Sequence, residues 1–288
     1  MNDRERFLAC VSGEPADRPP YWIFWPPWAR ARARWEREGM PEEARDLKGF
    51  FGSDETPRHL PVNCGPCPQI ERQVLEEDGD YVVFTDSWGI RRRDYKHGES
   101  MSEFLEFPVK GWKDWERFRE GWLDPEHPDR LAGNWRELAT EWTEKGIPIQ
   151  LGQFPDVGVF GSLRWLLGDE ECLIAFYTMP DLVRQIMERM TDVYLAVFSK
   201  VVEVARVDVI HIWEDMCGRQ GPLISPRHWE EFMGPCYRRI REFARQHDIP
   251  AISVDTDGDP ELIIPPMLRN GVNYLYPFEV AAGCDVNE

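Results

Sequence analysis

Residues 249–279, IPAISVDTDGDPELIIPPMLRNGVNYLYPFE, carry the pattern that decides the fold. Two short apolar runs, IPAISVD and VNYLYPF, flank a segment that turns at DTDGDP and then has room for one helix. Buried parallel strands read this way: covered on both faces, they lose the alternation of a half-exposed sheet and need a helical crossover between them. The rhythm extends towards the N-terminus, where VDVIHIW from Val207 and IPIQLGQF from Ile147 are two further runs. The clearest helix follows TMPD. Thr178 stands at its cap with Asp181 three residues on, and Leu182, Ile186, Met190, Val193, Val197, Val201 and Val204 keep helical spacing to about Arg206. Another begins at SPRHWEEF, where Ser225 caps, Pro226 suits the first turn, and Trp229, Phe232, Met233, Cys236, Ile240 and Phe243 form the buried stripe. PPYWIFW near residue 20 and the region YVVFTDSWGIRRRDY, predicted to open into a hairpin at Trp88-Gly89, bring the strand candidates to six. A β/α barrel needs eight. The sequence ends at GCDVNE without a closing helix, so the strands alone leave two readings, an incomplete barrel or an open sheet.

Composition narrows the function classes. The chain has 288 residues, 42% of them hydrophobic, enough for a substantial core. Lys and Arg number 34 against 52 Asp and Glu, a formal charge of -18, which opposes binding to nucleic acid or to an anionic membrane surface. The N-terminal MNDRERFLACVSGEP lacks the apolar core of a signal peptide, and no run reaches the roughly 20 apolar residues of a membrane span, so a soluble cytoplasmic protein is expected. Its 7 cysteines are odd in number and scattered, which suits reduced thiols. With 13 Trp and 15 Phe, clusters such as YWIFWPPW offer walls for a large aromatic pocket, although core filling is the commoner use of such residues.

Two motifs fail on their geometry. DTDGDP is no calcium loop, because Gly258 is its fourth residue and Pro260 its sixth. A phosphotransferase nucleophile is equally unsupported so near the end of the chain. CGPC at Cys64 to Cys67 has no strand before it or helix after it to lower a thiol's pKa, and reads as two loop cysteines. What remains is a set of acidic residues at the C-terminal ends of strand candidates: Asp86, Glu214, Asp215, Asp255, Asp257 and Glu279. Catalytic groups of a β/α barrel gather at that face, and helix caps draw on the same residue types. Position favours function for Asp215 and Asp255, and a helix cap for Asp259. His211 reads equally as a core histidine.

RFLACVSGEPADRPPYW, DVIHIWEDMCGRQGPLISPRHWEEFMGPCYRRI and the opening stretch together resemble the uroporphyrinogen decarboxylase superfamily across essentially the whole chain. The resemblance implies a TIM-type (β/α)8 barrel spanning residues 1–288 as one domain, missing its last two strand-helix units. It implies decarboxylation of a porphyrinogen or cobamide-dependent methyl transfer through a zinc thiolate. Asp86 in FTD matches the decarboxylase FSD, while Trp25 stands where the first arginine of RQAGRY would be. Arg164 falls at the third-unit tyrosine and Asp215 at the fourth-unit serine. Where the methyltransferases have HxCG this chain has DTDG, so Asp255 and Asp257 replace the zinc-binding His and Cys and would hold a hard cation rather than zinc.

A mouth lined by these carboxylates repels a polycarboxylate such as uroporphyrinogen, each close like-charge pair costing about 1–4 kcal/mol. The expectation is therefore a methyltransferase-like enzyme acting on a small methylated substrate with a separate corrinoid protein as partner. The alternatives are a porphyrinogen decarboxylase and a non-catalytic binding protein. Asp86, Glu214 and Asp215 are the expected catalytic groups. Trp22, Trp25 and Trp28 offer cation-π faces, Glu279 completes the substrate pocket, and Arg164 would meet an anionic group of the substrate. Open strand edges predict oligomerisation, with a homodimer as the simplest form.

Overall fold

The computed structural model describes residues 1–97 and 101–285. Helix α1 (Asp3–Val11) opens with a capping box between Asn2 and Glu5. The aromatic stretch that follows is extended but joins no sheet, contrary to the strand expected at PPYWIFW. Pro19, Pro20, Pro26 and Pro27 supply no backbone donor, and a ladder cannot be built through them. Buried Asp54 holds this stretch instead, accepting from the Arg18 guanidinium and from the Tyr21 N–H at 2.8 Å. Then come α2 (Ala29–Arg37), α3 (Leu47–Phe51) and β1 (Arg58–His59).

An antiparallel sheet of four strands is inserted next: β2 (Gln73–Glu77), β3 (Tyr81–Thr85), β4 (Arg91–Tyr95) and β5 (Glu103–Glu106). The hairpin expected at Trp88-Gly89 joins β3 to β4, yet it belongs to this insert and not to the barrel strands. The half-exposed RRRDY of β4 is the pattern of a sheet open to solvent on one face. After α4 (Trp112–Trp122) and α5 (Trp135–Glu144) comes β6 (Ile149–Leu151), then α6 (Phe160–Leu167), α7 (Asp169–Thr178) and α8 (Pro180–Val202). Thr178 does not cap α8. Its hydroxyl donates back to the Ile174 carbonyl at 3.1 Å, and Pro180 takes the first turn unaided. The apolar stripe of α8 is buried from Leu182 to Val201, and the helix stops four residues short of Arg206.

Strand β7 (Val209–Trp213) leads through the short pair β8 (Cys217–Gly218) and β9 (Gly221–Pro222) to α9 (Pro226–His228), capped by Ser225 as expected. A π turn, Trp229–Met233, continues it into α10 (Gly234–Gln246). The described chain closes with β10 (Ala251–Asp255), α11 (Ile264–Arg269) and β11 (Tyr274–Tyr276). Strands β1, β6, β7, β10 and β11 lie in that order in one parallel sheet, an α/β arrangement consistent with a TIM-type barrel.

Alternation along these strands sets up the site. Ile210, Ile212, Ile252 and Val254 face outward into the main core with the helices. On the other face, Val209 and Ala251 pack with Phe7 of α1, and Trp22 and Tyr274 lie against them as a plug. His211 sits opposite Ser253 one layer higher, and Trp213 opposite Asp255 one layer above that. The plug covers one end of this face, and the upper layers line a cavity.

Candidate functional site

The cavity lies at the C-terminal ends of the parallel strands and encloses about 940 Å³. Three of the acidic residues singled out from the sequence, Asp215, Asp255 and Asp257, line it. Glu214 and Asp215 follow β7, and both N–H groups donate to the Asp255 carbonyl at the end of β10, at 2.9 and 3.1 Å. Asp215 takes a left-handed conformation, with φ 43, that few non-glycine residues adopt. This turns its carboxylate into the cavity beside Asp255 and Asp257.

The three carboxylates oppose one another. Burial, with Asp257 and Asp215 adding to it, pushes the Asp255 carboxyl up to about 7. Asp257 is raised by burial and by Asp215 and Glu279, with Arg164 acting in the other direction. Arg164, on α6, is the one guanidinium among the described lining residues. It does not wait for an anionic group as expected: it donates to the Asp215 carbonyl and to Asp215 Oδ2, both at 2.6 Å. Its guanidinium also lies 5.4 Å from the centre of the Trp213 ring.

Glu214, one residue earlier, points the opposite way and is fully buried. Its carboxylate accepts from Val159, Phe160 and Gly161 N–H at the start of α6, at 3.2, 2.7 and 2.8 Å, and from the Tyr237 hydroxyl at 2.5 Å. Burial pushes it up to about 7 against the pull of those donors. Expected as a catalytic group, Glu214 instead anchors the helix that delivers Arg164 and Trp165 to the cavity. Gly161 permits the approach, since a Cβ there would lie 2.3 Å from the Trp213 carbonyl.

The other expected site residues divide. Trp25 lines the mouth and is 78% exposed. Trp22 belongs to the plug, against Phe7 and Tyr274, and Trp28 stands at the start of α2. Glu279 does not line the cavity; its Oε2 accepts from Gly258 N–H at 2.7 Å and braces the turn that carries Asp257. Asp86 lies in the β3–β4 turn, where one oxygen accepts from Trp88 and Ile90 N–H at 2.9 Å and the other meets Arg92 at 3.2 Å. It does not line the cavity, though Arg92 reaches over the ring of Phe104, which does. Asp259 accepts from Glu261 N–H at 3.0 Å, the turn-starting role its position suggested.

A hard cation at Asp255 and Asp257 is not supported, because no group of three or more His, Cys, Asp or Glu side chains suited to a metal occurs among the described residues. Two carboxylates are too few for calcium or magnesium without help. Zinc held by thiolates fits no better. Cys64 and Cys67 are buried free thiols, and burial raises both. A two-residue strand, β1, does precede them, but no helix follows to stabilise a thiolate.

Sequence reasoning missed the inner walls. Phe154, Trp165 and Trp213 meet nearly at right angles, with interplanar angles of 77°, 83° and 87°, and form an aromatic corner beside the carboxylates. Beneath it, His211 Nδ1 lies 3.0 Å from Ser253 Oγ and 3.1 Å from the Tyr276 hydroxyl, with the His211 and Tyr276 rings stacked. Burial lowers His211 to about 4, with His59 adding to the effect, so the imidazole is neutral. The signal was present in the spacing: His211, Trp213 and Asp215 share one parity along the chain and Glu214 has the other.

A parallel α/β sheet with a polar, aromatic cavity at its C-terminal edge is the arrangement in which barrel-type folds place their small-molecule sites. Residues 167–275, the stretch from the end of α6 to β11, match the family model Uroporphyrinogen decarboxylase (URO-D). A methyltransferase from Methanosarcina mazei has a similar fold, with a TM-score of 0.50 and 16% sequence identity over 96% of this chain and 75% of that one. No curated protein matches the chain. Over that stretch the chain is similar to the uroporphyrinogen decarboxylase family, and in fold it is similar to the methyltransferase. No helix among the described residues is long and apolar enough to cross a membrane.

Proposed function

We propose that the protein is a uroporphyrinogen decarboxylase-like enzyme of the methyl-transfer branch, acting on a small, positively charged methylated compound bound in the cavity. The observation that carries this reading is the charge of the aromatic-walled cavity. Asp215, Asp255 and Asp257 face it, against one guanidinium that already bonds Asp215. A cation entering there meets uncompensated carboxylates and aromatic faces, two environments that favour it. A polycarboxylate porphyrinogen meets the same charges as repulsion, and among the described lining residues no arginine is free to clamp it. That weighs against the decarboxylase alternative.

The volume supports a second reactant. About 940 Å³ is far more than a small methylated amine fills, which leaves the outer part, beside Trp25, for the group that accepts the methyl. A corrinoid held by a partner protein would supply that acceptor when docked, and this chain's own residues bind and orient the donor. When the methyl leaves, the nitrogen keeps the bonding electron pair and loses its positive charge. Asp255 is ionised while the cation is present, and the amine so formed, more basic than this carboxylate, takes up the next proton from solvent.

The test uses trimethylammonium compounds carrying carbon-13 in the methyl groups, incubated with the protein and chemically reduced free cobalamin. Protein-dependent release of the demethylated amine, lost in Asp255→Asn, is the expected result. Conversion of a porphyrinogen in the same preparation, with no amine released, would overturn the proposal.

A further inference from the structure

The middle layer of the cavity does not suit the interior of a barrel sheet. Bulky branched residues usually fill such layers, yet here the facing positions of adjacent strands are His211 and Ser253, with Tyr276 stacked on the imidazole. His211 and Ser253 are 4% and 1% exposed, and a buried polar group carries a cost that an apolar side chain at the same place would avoid. The network is also incomplete. Two hydroxyls converge on Nδ1, while Nε2 makes no hydrogen bond among the described residues and His211 borders the cavity.

The geometry points to His211 Nε2–H as a fixed hydrogen-bond donor in the cavity floor, reading an oxygen acceptor on the substrate. The substrate class is thereby a methylated ammonium compound that carries a hydroxyl, ether or carbonyl oxygen a short distance from the nitrogen. With two hydroxyls in place to donate to it, Nδ1 serves as the acceptor, which leaves the ring proton on Nε2. Burial keeps the ring neutral, so this tautomer is held rather than lost to double protonation. Tyr276 and Ser253 are positioning residues, acting through His211.

Distance sets the spacing of the two recognised groups. Residues two apart on a strand are separated by about 6.6 Å. The layer of Trp213 and Asp255 therefore stands about that far above the layer of His211 and Ser253. A methylated nitrogen against the upper layer places an oxygen two or three bonds away within reach of Nε2. Gln150 and His59 border the same floor and are uncharged or weakly basic, so no full charge is called for at this end. A carboxylate end would find no cation there.

This inference rests on the reading of the upper cavity as a cation site, and isothermal titration with two probes separates the two. Tetramethylammonium tests the cation site alone, and choline adds one hydroxyl. The native protein is expected to bind choline roughly 3- to 10-fold more tightly than tetramethylammonium, the range of one neutral hydrogen bond. His211→Leu is expected to abolish that preference and leave tetramethylammonium binding unchanged. Tyr276→Phe, which deletes one oxygen, is expected to reduce the preference in the same way and carries the test where His211→Leu fails to fold. Equal binding of the two probes by the native protein, or a preference that survives both substitutions, would overturn the floor donor while leaving the cation site intact. Binding of neither probe would overturn the cation site and this inference with it.

Discussion

Asp255→Asn probes the site through its energetics. The Asp255 carboxyl is raised from 3.8 to about 7, first by burial and then by Asp257 and Asp215. At 1.36 kcal/mol for each tenfold change in proton affinity, that rise corresponds to about 4 kcal/mol at most. The folded protein holds this proton more tightly than the unfolded chain does. The carboxyl's contribution to stability is thus complete below about pH 4 and is lost as pH rises to about 7. Asparagine keeps the shape and never ionises, so the variant gains on the native protein across that window. Starting at pH 5.5 stays clear of the sequence isoelectric point of about 4.8. From there to pH 8 the variant's advantage should grow by about 1–2 kcal/mol, since roughly 1.5 pH units of the window remain. Urea unfolding followed by tryptophan fluorescence at constant ionic strength measures it. An advantage that does not change with pH, or a native protein more stable than the variant at pH 8, would refute the electrostatic account of the mouth.

Other outcomes follow from the same geometry. Glu214→Gln places an amide N–H against donors at the start of α6 and should cost about 2–4 kcal/mol, read as a lower Tm, together with weakened ligand binding as Arg164 and Trp165 shift. Arg164→Met removes the guanidinium that occupies Asp215 and covers Trp213, and titration should show tetramethylammonium binding about 10-fold tighter; weaker binding would mean that Arg164 helps to hold the ligand. A thiol reagent should modify exposed Cys10 quickly, and buried Cys64, Cys67, Cys172, Cys217 and Cys236 only on unfolding. Rapid labelling of Cys67 in the folded protein would point to a reactive CGPC motif.

The elements that sequence reading located share one property: their apolar positions follow the period of the structure they form. β7 and β10 carry short continuous apolar runs, and α8 and α10 carry stripes of helical period, so pattern and burial agree. PPYWIFW has the same apolar content, but its prolines remove the donors that a strand needs. Strand β1 has two residues, Arg58 and His59, and no pattern can mark so short an element. YVVFT of β3 resembles a barrel strand until its partner RRRDY is considered, which only an open antiparallel sheet accommodates.

At the site, strand-end position brought Asp215, Asp255 and Asp257 to notice, and the structure places them together. Position alone treats Glu214 as their equal, although its opposite parity sends it beneath α6. Asp86 was misplaced along with its strand. The aromatic corner and the His211 floor were out of reach for a different reason. Phe154, Trp165 and Trp213 lie on three separate segments, and their meeting is a product of the fold. His211 acquires its meaning from Ser253 and Tyr276, which only strand register brings to it.

Parallel titrations of the native protein with tetramethylammonium and with uroporphyrinogen, at one ionic strength and pH 8, test the central claim most directly. The account predicts saturable binding of the methylated cation and none of the porphyrinogen. Tight binding of uroporphyrinogen with no response to the cation would contradict it.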